Sequence, residues 1–184
     1  MNLKVAASAL ALCTLLAGPA RTYAQADKPA PGTKMTPSAT YDKLLTNIEK
    51  EFVDAAEAMP EDKFNFAPSQ GEFKGVRTFA QQVKHVAQAN YFFWGSFASD
   101  TTDSAAIDKL TSKADIVKAL KDSIAVGHKA IAGITDENAF VMTKNGTPAG
   151  MSAFGIAHMM DHYGQLVVYL RMNSIVPPAS RGSN

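Results

Sequence analysis

Hydrophobic residues recur every three or four positions in four separate stretches of this chain, and nowhere is that rhythm replaced by the strict alternation of a half-buried strand. The first stretch predicts a helix over Ser38–Met59, with Tyr41, Leu45, Ile48, Phe52, Ala55 and Met59 on one face and Pro60 ending it. The second opens at Thr78-Phe-Ala-Gln81, a capping box, and runs to about Phe97 with Phe79, Val83, Val86, Phe93, Trp94 and Phe97 as its apolar stripe. Ser112-Lys-Ala-Asp115 offers another capping box, opening a third helix that ends near Ile131 and buries Val117, Leu120, Ile124, Gly127 and Ile131. The fourth covers Ser152–Met172, with Ser152 as N-cap, and is apolar around most of its circumference, which marks a largely buried helix. Four helices with no strand between them predict an all-α protein, a single four-helix bundle.

The connections are uneven. Glu61–Arg77 is long and broken by Pro68, Gly71 and Gly75, yet it carries Phe64, Phe66 and Phe73, so it is expected to pack back over one end of the bundle. Ala98–Lys109 is polar, and Thr135–Met151 contains turn signals at Asn145-Gly146 and Pro148.

Polar residues inside these stripes are where chemistry is to be sought. On the fourth helix His158 and His162 lie one turn apart, within about 40° of each other around the axis, in the same sector as Phe154, Gln165 and Tyr169. Two such imidazoles can share one metal ion, and His85, on the shoulder of the second helix's stripe beside Gln82, is the candidate third ligand. Spacing alone leaves two readings open: a three-histidine metal site, or core histidines satisfied by hydrogen bonds. Asp161 and Gln165 are candidates to orient an imidazole from behind, and Asp161 could equally be a solvated carboxylate. His128 lies at the edge of the third helix's stripe and is taken as a surface or edge histidine. The segment His158-Met-Met-Asp161-His162 lacks the glutamate of a zinc peptidase helix, and no phosphate loop or nucleophile elbow occurs. Met151, Met159, Met160 and Met172 are read as gap-filling in a bundle core rather than as copper ligands.

Composition narrows the field further. Residues 1–26 have the form of a secretory leader: Lys4, an apolar run over Val5–Ala17, and Ala24-Gln25-Ala26 as a cleavage site after Ala26 or Ala24. Export to the periplasm or the exterior is therefore expected, with no stable membrane anchor once the leader is cleaved. The single cysteine, Cys13, falls inside the leader, so the remainder has no disulfide and no thiolate nucleophile or ligand. The chain carries 18 basic and 17 acidic residues, a balance that predicts no nucleic-acid surface. The organisation expected is a leader over 1–26, a flexible proline-rich arm over 27–37, a bundle over 38–178 and a disordered tail over 179–184.

Two segments carry a resemblance. His158-Met-Met-Asp-His162-Tyr-Gly-Gln165-Leu-Val-Val-Tyr-Leu-Arg171, continuing to Pro178, and Gln82-Val-Lys-His85-Val-Ala-Gln-Ala-Asn90-Tyr-Phe-Phe-Trp94 closely resemble the DinB/YfiT-like family of small four-helix bundles. The resemblance spans about 40–178 and is loose in the third helix. It implies an up-down-down-up bundle with a long crossover, and a divalent ion, Zn²⁺ or Ni²⁺, on His85, His158 and His162. It further implies thiol-dependent transfer or hydrolysis of a small-molecule substrate, and pairing of chains as homodimers. The function expected is that of an exported metal-dependent enzyme of hydrolase or transferase type. The alternatives are a noncatalytic metal- or ligand-binding bundle and a purely structural domain.

Overall fold

A computed structural model describes residues 29–182, so the leader over 1–26 lies outside the described residues. Residues 29–33 form a short turn closed by a hydrogen bond from Thr33 N to the Ala30 carbonyl (3.1 Å). From Lys34 onward the chain is a bundle of four long helices: α1 Pro37–Ala58, α2 Phe79–Trp94, α3 Lys113–Ala132 and α4 Pro148–Met172. Three short 3-10 segments, Glu61–Lys63, Ser104–Lys109 and Pro178–Ser180, lie in the connections and the tail.

Each helix starts where a hydroxyl satisfies its free N–H groups. Thr36 caps α1 ahead of Pro37, and Ser112 caps α3. The capping box of α2 is complete: Gln81 N donates to Thr78 Oγ1 (3.2 Å) and Thr78 N donates to Gln81 Oε1 (2.8 Å). At Ser112 the box is only half made, because the Ser112 hydroxyl donates to Asp115 Oδ2 (2.6 Å) instead of leaving that carboxylate to the cap's own N–H. The fourth helix begins earlier than its periodicity predicts. Thr147 is its N-cap and Pro148 its first residue, while Ser152 is buried within it. Proline at the first helical position loses no hydrogen bond, so what reads in sequence as a turn signal is a helix start.

Neighbouring pairs fix the directions. Asp42 with His128 and Glu57 with Lys121 run α1 against α3. Asn90 with Ser123, and Lys84 with the Leu110 carbonyl just ahead of α3, set α2 and α3 parallel. Gln82 with Gln165 and Phe93 with Phe154 set α2 and α4 antiparallel. The helices therefore run up, down, down and up. Parallel α2 and α3 need a return path, which the 95–112 connection supplies by retracing α2: Gln88 and Lys84 donate to the carbonyls of Ser104 and Asp108.

Phe52, Phe79, Leu120, Ile124, Met159 and Leu166 fill the centre, each contributing about 1.5–3 kcal/mol by leaving water. Trp94 occupies a slot between two glycines, where a Cβ at Gly127 would lie 2.8 Å, and one at Gly155 2.6 Å, from its indole. The loop after α1 packs back as expected. Phe64 is buried against Phe79 and Phe66 stands edge-on to Tyr169, whereas Phe73 is left largely exposed. Pro178–Ser180 form a 3-10 turn against α1, with Arg171 Nη2 donating to Ser180 Oγ (3.1 Å); residues 183–184 lie outside the described residues.

Candidate metal centre

The N-terminus of α2 is unusually well fixed, and this fixes His85. Besides the capping box, its first two N–H groups donate to loop carbonyls, Phe79 to Phe66 and Ala80 to Phe64, both at 2.8 Å. Two turns on, His85 faces the middle of α4, where His158 and His162 project from consecutive turns. The Nε2 atoms of His85 and His158 stand 3.2 Å apart. All three histidines can offer a ligand atom within 4.8 Å of the others.

His162, buried at 6 % exposure, is oriented from behind. Its Nδ1–H donates to Gln82 Oε1 (2.6 Å), Gln82 Nε2 donates to Gln165 Oε1 (2.7 Å), and Gln165 Nε2 donates to Asp161 Oδ2 (3.1 Å). This chain holds the tautomer in which Nε2 presents its lone pair to the other two rings. Asp161 and Gln165, the candidates from sequence, belong to the chain without a hydrogen bond to an imidazole. The residue that makes one is Gln82. Its position three residues before His85, on the same face of α2, was the available signal.

Electrostatics keep the rings neutral. Burial above all, then the other two imidazoles, bring His162 down to about 4, with Arg77 adding to the effect. Burial also lowers His158, reinforced by Arg77 against the pull of Asp161, and lowers His85, reinforced by Arg77 and His158. A neutral imidazole is the form that ligates metal.

The donor set fits a divalent ion. Two nitrogens bound tetrahedrally at the usual zinc distance stand about 3.4 Å apart, close to the 3.2 Å between His85 and His158. His158 Nδ1, the other nitrogen of that ring, is buried without a hydrogen-bond partner among the described residues. Phe93 walls the site on the His158 side, its ring 5.4 Å from the imidazole and 5.2 Å from Phe154. On the His85 side lies a polar cleft of about 430 Å³, lined by Arg77, Gln81, Lys84, His85 and Gln88. A hollow of about 450 Å³ between α1 and α3 is lined by Glu57, Glu61, Lys113 and Lys121 and contains none of the three histidines.

His128 stands apart from this site. It is a half-buried edge residue, its two ring nitrogens facing Asp42 Oδ1 (2.6 Å) and Glu49 Oε2 (3.0 Å) of α1. Burial opposes its protonation, but the two carboxylates outweigh burial and raise its pKa.

An all-α bundle with three histidines gathered between its second and fourth helices defines a class of small proteins able to hold a metal ion. The sequence profile of the DinB superfamily matches residues 44–166, and the chain belongs to that superfamily. No curated protein matches the chain significantly.

Proposed function

We propose that this protein is an exported metal-dependent enzyme of hydrolase or transferase type, with Zn²⁺ or Ni²⁺ held by His85, His158 and His162. The observation that carries the reading is the convergence of three neutral imidazoles, two of them with Nε2 atoms 3.2 Å apart, beside an open polar cleft. Three histidine ligands leave a coordination position free, as catalytic sites do and closed structural sites do not. A divalent ion there supplies Lewis-acid polarisation and lowers the pKa of a water or thiol that it binds.

The chain's own residues do the rest. Gln82 fixes the tautomer of His162 and keeps its ring from rotating. Phe93 packs against His158, and the polar cleft beside His85 is the approach for substrate. The leader-like segment 1–26 supports export, and outside the cytoplasm small thiols are scarce, which favours water as the attacking group.

The test is elemental analysis of untagged protein lacking residues 1–26, with His85→Ala and His162→Ala alongside. About one equivalent of metal in the wild type, lost in both variants, together with ester or amide hydrolysis abolished by chelation and restored by metal, is the expected result. No metal after incubation with excess Zn²⁺ or Ni²⁺ rejects the reading. Metal without any chelator-sensitive turnover leaves the noncatalytic binding bundle in its place.

A further inference from the structure

We infer that the cleft beside His85 is an anion subsite, and that the substrate carries a carboxylate or another oxyanion that Arg77 binds while a second group of the same molecule reaches the histidines. The inference rests on the metal reading above and names the substrate class that this site would take.

Arg77 is anchored by its backbone and free at its head. Its carbonyl accepts a hydrogen bond from Tyr169 Oη (3.0 Å) on α4, and the next residue, Thr78, is the N-cap of α2. Its guanidinium makes no hydrogen bond or ion pair among the described residues. The neighbouring cation is different. Lys84 Nζ donates to the carbonyls of Asp108 (2.9 Å) and Leu110 (3.2 Å), which ties the 95–112 connection to α2 and immobilises the ammonium. Asp108 lines the same cleft and offsets one of the two cations, so the lining keeps one net positive side-chain charge, with Gln81 and Gln88 as neutral polar neighbours. Asp161, the nearby acid on α4, is engaged by Gln165.

Arg77 and His85 line the same cleft, which places the guanidinium beside the histidine cluster. An unpaired planar fork of donors suits bidentate capture of an oxyanion. Phe93 and Phe154 make the opposite end of the α2–α4 groove apolar. The groove is thus polarised, with the anion site at the Arg77 end.

The experiment uses cobalt-loaded protein and three thiols whose binding is followed by the absorbance of a thiolate on cobalt: 2-mercaptoethanol, 3-mercaptopropionate and 2-mercaptoethanesulfonate. Wild type is expected to bind the two anionic thiols at least about tenfold more tightly than the neutral one. Arg77→Gln should abolish that preference in a protein that still loads cobalt and still binds 2-mercaptoethanol, and Arg77→Lys should keep part of it. Equal affinities in the wild type, or a preference that survives Arg77→Gln, overturn the subsite alone. A wild type that takes up no cobalt overturns the metal reading and the subsite together.

Discussion

At the scale of the residue, the site depends on side chains that hold other side chains. Gln82 is the clearest instance, because the 2.6 Å hydrogen bond from His162 Nδ1 decides which nitrogen His162 can offer. Removing a partner of this kind typically weakens metal affinity 10–100-fold. We therefore expect Gln82→Leu to lower zinc affinity by about that factor with the helical circular dichroism unchanged, and Gln82→Glu, which keeps an acceptor, to retain most of it. A competitive chelator titration measures both. His128 makes a prediction of opposite chemical sense. Its folded pKa is raised, so the proton it binds stabilises the fold fully below the unfolded value of about 6.5, and this contribution is lost as pH rises through the folded pKa. The stability difference between wild type and His128→Ala, read from urea denaturation, should be larger at pH 6 than at pH 9. A difference independent of pH would mean that the Asp42 and Glu49 contacts are packing alone.

At the scale of the element, α2 is the critical helix, because it carries His85 and Gln82 close to its N-terminus and its start is held by the Thr78–Gln81 box. Loss of an N-cap hydroxyl costs about 1 kcal/mol, which for a chain of this size lowers Tm by roughly 2–4 °C. Thr78→Ala is expected to show that shift in calorimetry, and Thr78→Ser to restore it. The box was legible in the sequence because it is local, two residues three apart. The start of α4 was less so: Pro148 reads as a turn signal, and only the Thr147 cap, with its hydroxyl accepting from Gly150 N (3.1 Å), turns it into a first helical residue.

At the scale of the whole molecule, Trp94 joins three helices, and the two glycines that flank it set how closely α3 and α4 approach α2. A methyl group at Gly155 would fall 2.6 Å from the indole, and overpacking of this kind costs about 1–3 kcal/mol. Gly155→Ala should lower the urea midpoint, and because His158 lies one turn along α4, zinc affinity should fall with it; unchanged values for both would show that the slot can widen.

Four helices, their apolar faces and the His158–His162 pair were determined by the sequence alone, since each is a pattern within a single helix. His85 was legible there mainly through family resemblance, because a lone histidine on the shoulder of a stripe has no periodic signature. What only the tertiary structure decided were the contacts about eighty residues apart along the chain, His85 on His158 and Gln82 on His162 and on Gln165, together with the open cleft at Arg77. The physical reason is that helical periodicity states which face is buried, whereas the partner that covers it follows from the order and direction in which the helices pack.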